Sequence, residues 1–148
     1  MKVIASNKKA SFNYFLLDKF EAGIVLTGSE VKSVRDGGIS INESFVQVEN
    51  DEIFLKNAYI KPYEKASSFV PDEKRNRKLL LHKKQIQRLI KEKQTKNLTI
   101  VPTKVYFVDG LVKIEIALAK GKKLYDKRDT MAEKSVKREI DRAVKKLS

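Results

Sequence analysis

The pair Asp109-Gly110 separates two apolar-rich runs, at positions 98–108 and 111–118, and it limits the fold more than any other feature of the chain. A two-residue hairpin turn needs positive φ at its centre, which aspartate and glycine tolerate well. Strands joined so tightly must lie antiparallel, so a β-sheet is required in this half. A second hairpin is predicted where Ser44-Phe45-Val46-Gln47-Val48-Glu49 alternates and Ile53-Phe54-Leu55 resumes after Asn50-Asp51-Glu52. Positions 12–17 and 23–26, rich in aromatic and branched residues, are predicted as two further strands.

Two helices interrupt this pattern. Gly28-Ser29-Glu30-Val31-Lys32-Ser33-Val34-Arg35 has valines three apart, Ser29 placed to cap, and Asp36-Gly37-Gly38 to end it. Ile86, Leu89 and Ile90 give positions 82–93 an amphipathic helical period. Positions 61–72 lack periodicity and read as a long loop. The resulting fold class is mainly β, and short strands with inserted helices suit an OB-like closed barrel over positions 1–120. At Gly121 the strand pattern stops, and basic residues outnumber acidic ones two to one from there to Ser148. Thr130-Met131-Ala132-Glu133 has capping-box spacing, and Val136, Ile140 and Val144 mark one apolar face beyond it. A lone helix of this length is marginal in water, so positions 121–148 are expected to be disordered when free and helical when covered.

Charge narrows the function. The 148 residues carry 32 Lys+Arg against 19 Asp+Glu, a net +13, which points to a polyanionic partner. The chain has no cysteine and one histidine, His82, which excludes disulfides, zinc-thiolate sites and catalytic thiols. No metal, cofactor or catalytic residue is expected. Glu30-Val31-Lys32 has the E-x-K spacing of some nucleases, but Pro71-Asp72 falls on the wrong side of it. The N-terminus lacks a signal-peptide run and no segment is apolar enough to span a bilayer, so a cytoplasmic location is expected. The densest basic stretch is 74–96, where Glu92 alone opposes ten cations. Such repulsion is costly on a helix and is relieved by phosphates. Tyr125, between Lys123 and Lys127, is placed to stack on a base.

Five stretches occur in order that together resemble one family. They are Asn7-Lys8-Lys9-Ala10, Phe20-Glu21-Ala22-Gly23-Ile24, the helix from Gly28 to Arg35, Arg77-Lys78-Leu79-Leu80-Leu81-His82, and Gly121-Lys122-Lys123-Leu124-Tyr125-Asp126-Lys127-Arg128. They are similar to the signatures of the SsrA-binding protein (small protein B) family, partners of transfer-messenger RNA. The resemblance spans nearly the whole chain. It implies an OB-fold core that binds the tRNA-like domain of transfer-messenger RNA near its D-loop and elbow, standing in for the missing anticodon arm. It implies a role in trans-translation, the rescue of stalled ribosomes, without catalysis. The implied partners are this RNA, the stalled ribosome with its small-subunit rRNA, and elongation factor Tu in the delivery complex.

Carried over by position, Glu21, Leu80 and Lys113 match family positions linked to RNA binding, with Lys8, Lys9, Tyr14, Lys32, Arg35, Arg77 and Lys78 as additions. A carboxylate repels phosphate, so Glu21 would accept from a base or a 2′-OH, or orient a lysine. Leu80 reads either as core or as a platform under a base. Gly121, Lys122, Lys123, Tyr125, Asp126, Lys127 and Arg128 match a decoding-centre motif, with Tyr125 where relatives often carry histidine. The tail would then probe whether the message channel is empty. Two other readings remain: a general single-strand-binding OB module, from fold and charge alone, and a membrane-surface protein using the basic amphipathic tail.

Overall fold

The structure is a computed structural model that describes residues 2–63 and 71–122. Its elements are β1 (Lys2–Ser6), α1 (Lys8–Asn13), β2 (Tyr14–Ile24), α2 (Gly28–Arg35), β3 (Ile39–Ser40), β4 (Phe45–Glu49), β5 (Glu52–Lys56), β6 (Tyr59–Ile60), β7 (Arg77–Leu80), α3 (Lys83–Thr95), β8 (Thr99–Val108) and β9 (Leu111–Gly121). Seven strands form one antiparallel sheet in the order β1-β8-β9-β2-β7-β5-β4, and β3 pairs with β6 separately.

Both predicted hairpins form, the first through the anticipated Asp109-Gly110 turn and the second with Glu52 already in its strand, so that Asn50 and Asp51 alone make the turn. Asp109 and Gly110 take φ of 50° and 78°, and Asn50 and Asp51 take 50° and 61°, matching the right-handed twist of the strands they join. The mainly β class holds, but the expected closed barrel needs correction. No ladder joins β1 to β4 among the described residues. The sheet curls instead, bringing β4 against β8 and enclosing Ile53, Leu55, Leu79, Ile100, Ile114, Ile116 and Leu118. From one side α3 adds Leu89 to this core, and α2 adds Val34.

The N-terminal prediction also changes. Residues 14–24 form one long strand, because a register shift between Leu16 and Lys19 absorbs the break in alternation. Phe12 lies before it, in α1, and is 80% exposed. The buried Asn7 sets this helix: its Oδ1 accepts from the Ala10 N–H at 3.2 Å, and its Nδ2 donates to the Pro102 carbonyl at 2.9 Å. Thr27, rather than Ser29, caps α2. Its Oγ1 accepts from the Glu30 N–H (3.2 Å) while its own N–H donates to Glu30 Oε1 (3.0 Å).

Candidate nucleic-acid interface

Strands β9, β2 and β7 lie side by side, and Gly23 pairs with Lys113 on one flank and Leu80 on the other. Side chains alternate across a sheet. Ala22, Ile114 and Leu79 therefore enter the core, while Glu21, Gly23, Lys113 and Leu80 share the outer face. Glycine leaves bare backbone between Lys113 and Leu80, which stand two strand spacings, about 9.6 Å, apart. A Cβ at Gly23 would already lie 3.4 Å from that of Leu80. The N-terminus of α3 closes one side, where the His82 N–H donates to Gln85 Oε1 at 3.2 Å. The result is a groove of about 470 Å³ lined by Glu21, Gly23, Leu80, Leu81, His82, Gln85 and Lys113.

This placement decides the two readings of Leu80: it faces outward and is 51% exposed. Glu21 sits opposite Glu115, whose carboxylate accepts from the Thr103 hydroxyl. Tyr106, buried beside Lys113 on the same face, has its phenol pushed up to about 12 by burial and then by the Glu21 charge. The phenol therefore stays protonated. Sequence reasoning missed Gly23 and Gln85. Their signals were a glycine inside a strand-like run, two residues after Glu21, and a glutamine three residues after a helix cap.

The expectation that Arg77 touches RNA is corrected by its burial. Its side chain is 0% exposed. Nε and Nη2 donate to Glu30 Oε2 at 2.9 and 2.6 Å, and Nη1 donates to the Ala58 carbonyl at 2.9 Å. Arg75 completes the cluster, donating from Nε to Glu30 Oε2 at 3.1 Å. Burial pushes the Glu30 carboxyl up, but the hydrogen bonds from Arg75, the Thr27 N–H and Arg77 outweigh it and hold the group below its ordinary value. The basic stretch is thus less naked than it reads in sequence. Lys78 lies 3.4 Å from Glu52, and Arg88 pairs with Asp18 and Glu92. Lys83, Lys84, Lys91, Lys93 and Lys96 have no acidic partner among the described residues.

The remaining candidates lie away from the groove. Lys32 and Arg35 are exposed on α2, with the Lys32 ammonium 5.7 Å from the Tyr63 ring. Lys8 and Lys9 are exposed on α1, and Lys9 pairs with Glu43. Tyr14 is half-buried against Ala10, Val101 and Ala119 and pairs with Gly121. That pair is nine residues, roughly 30 Å along the strand, from Gly23. Lys122 is tied there by its N–H to the Asn13 carbonyl (2.9 Å) and its ammonium to that of Ser11 (3.1 Å). Lys123, Tyr125, Asp126, Lys127, Arg128, Val136, Ile140 and Val144 lie outside the described residues. Among the described residues, no helix is long and apolar enough to cross a membrane.

An open groove carrying Lys113 and Glu21 on the outer face of a curled antiparallel sheet, in a chain of net charge +13, defines the class as a basic, mainly β protein. Comparison with known proteins narrows the class. The family model described as "SmpB protein" matches residues 4–146. The SsrA-binding protein of Sulfurihydrogenibium sp. (strain YO3AOP1) is 56% identical over 97% of this chain and 95% of its own. That of Enterococcus hirae is 52% identical over 99% and 96%. A solved chain described as "tmRNA-SmpB: a journey to the center of the bacterial ribosome" is 45% identical, covers 88% of this chain and 92% of its own, and superposes with a TM-score of 0.68. The chain belongs to the SmpB family of SsrA-binding proteins.

Proposed function

We propose that this protein is the RNA-binding partner of transfer-messenger RNA in trans-translation. It grips the tRNA-like domain, accompanies it to stalled ribosomes and stands in for the missing anticodon arm. The observation that carries this reading is the convergence of Glu21, Leu80 and Lys113, from three strands, on one groove in a chain of this family. Lys113 supplies phosphate contact, and Leu80 an apolar surface for a base. Lys122 is anchored to α1 at the end of β2 and β9 that lies far from that groove. One end of the sheet is then assigned to transfer-messenger RNA and the other to the decoding centre and empty message channel. Lys8 and Lys9, expected from the resemblance to touch transfer-messenger RNA, stand on α1 at the second end. Elongation factor Tu would share the delivery complex, the location would be the cytoplasm, and no catalytic step is assigned to the protein.

The test compares affinity for a tRNA-like-domain transcript with affinity for an unstructured oligonucleotide of equal length. A clear preference for the folded RNA is expected, and equal binding would leave only a general single-strand binder. In parallel, a chain ending at Lys122 should keep that preference yet lose peptide tagging on stalled ribosomes. Rescue by the shortened chain would refute the role given to the tail.

A further inference from the structure

Helix α3 gives only part of its apolar surface to the core. Leu89 is fully buried there and Ile86 packs against it, whereas Ile90 stands half-buried outside it. Ile86 and Ile90 are four apart, hence neighbours on one helix face. Both line a second groove, of about 390 Å³, that follows α3 from Lys83 to Thr95. Asp51, in the β4–β5 turn, closes its side. Lys83 and Lys91 border it, and neither has an acidic partner among the described residues. This groove shares no residue with the one that holds Glu21. We propose that the chain's own C-terminal segment, residues 133–147, docks in it as an amphipathic helix when the protein is free. The docking does not depend on the function proposed above.

Position, reach and pattern select this occupant. Thr99 pairs with Ala119, so β8 starts beside the residues that end β9. Helix α3 ends at Thr95, four positions before Thr99. The C-terminal end of α3 and the departure of the chain beyond Lys122 therefore share one end of the molecule. From Lys122 to Glu133 an extended chain spans up to about 35 Å, more than the roughly 20 Å length of α3. Val136, Ile140, Ala143, Val144 and Leu147 recur at steps of three and four, the period of one helix face. Glu133, Lys137 and Glu139 border that stripe, so it brings carboxylates for Lys83 and Lys91 and an ammonium for Asp51. A lone helix of this length is marginal in water, and burial of the stripe against Ile86 and Ile90 supplies what it lacks. Both partners carry more cations than anions. Their repulsion opposes the apolar gain and keeps the docked state weak and reversible. Docking and entry into a message channel use the same stripe, so they exclude each other.

The chain has no cysteine, so a single introduced thiol carries a nitroxide label without interference. Lys84→Cys and Lys96→Cys place one near either end of α3, outside the lining of the groove. Amide signals of the full-length, isotope-labelled protein are read by NMR with the label oxidised and then reduced. A segment that enters from the C-terminal end of α3 lies antiparallel to it. The Lys96 label should therefore erase most of the signal near Glu133, and the Lys84 label most of that near Val144. Ile140→Asp should restore both sets. Ile90→Asp should do the same, with its fold checked by circular dichroism; if it unfolds, Ile140→Asp decides alone. Signals that neither label touches overturn the proposal. So do signals that stay erased in Ile140→Asp, because they report tethering and not docking. Erasure only between spin-labelled and isotope-labelled copies in a mixed sample gives the groove to a second copy of the chain, which also overturns it. The measurement contains no RNA and no ribosome, so its failure leaves the proposed function standing, and the reverse holds too.

Discussion

Arg77→Met separates the structural reading of this residue from the RNA-contact reading. Methionine keeps the apolar stem but removes every donor of the guanidinium. The Ala58 carbonyl loses its 2.9 Å partner and Glu30 Oε2 loses two. Removing one member of a buried ion pair costs about 3–5 kcal/mol. Here Arg75 and the Thr27 N–H still face Glu30, so the carboxylate is not left bare and the lower end, about 3 kcal/mol, applies. At a urea m-value of roughly 1.5 kcal/mol/M this lowers the unfolding midpoint by about 2 M. Arg75→Met removes a partly exposed side chain, and about 1 kcal/mol is expected. RNA affinity of Arg77→Met, measured in buffer where it remains folded, should match wild type within about twofold. An unchanged midpoint with weakened RNA binding would refute the reasoning, because it would put Arg77 at the interface and not in the core.

Three further outcomes follow from the same geometry. Lys113→Ala should reduce the log-log salt slope of RNA binding by roughly 0.7–0.9, the release of one counterion; an unchanged slope means no phosphate contact. Gly23→Ala needs no positive φ and places its Cβ 3.4 Å from that of Leu80, so the melting temperature should stay nearly unaltered, whereas the added methyl on the groove floor should weaken RNA binding, read as a lower affinity at fixed salt. Glu30→Gln should flatten the acid limb of stability. The Glu30 carboxyl is held below its ordinary 4.5, so the unfolded chain takes up this proton first as pH falls. Stability present above 4.5 is then lost on acidification, and urea midpoints between about pH 5 and pH 3 should show a shallower slope in the variant.

What could be read from the sequence was what local chemistry decides. Asp109-Gly110 and Asn50-Asp51 announced their hairpins because positive φ is a property of the turn residues themselves. Ile86, Leu89 and Ile90 announced α3 by spacing alone. Phe12 was misplaced because its composition suits a strand, whereas Asn7, five residues earlier and anchored to Pro102, starts a helix. The same limit hid Arg77. Its partner Glu30 is 47 positions away, so the basic run looked unopposed. Closure of the barrel was equally invisible, since it depends on whether β1 and β4 meet. Glu21, Leu80 and Lys113 came from family resemblance, and no spacing rule would have put them in one groove.

How the charge is distributed explains why those three residues carry more information than the net charge does. The three arginines of the 74–96 stretch are committed to carboxylates: Arg75 and Arg77 to Glu30, Arg88 to Asp18 and Glu92. The planar guanidinium fork suits such pairs. The lysines of α3 are left to water, as their compact, strongly hydrated ammonium favours. A phosphate-bearing partner therefore meets a field of lysines without acidic partners among the described residues, which attract any nucleic acid and distinguish none. Choice must come from groups that do not follow the charge. Leu80 gains nothing from phosphate, Gly23 offers only space, and Glu21 opposes the general attraction unless a donor edge meets it. A residue that weakens non-specific binding while rewarding one partner widens the gap between right and wrong RNA, and under the function proposed above Glu21 is the groove residue placed to do so.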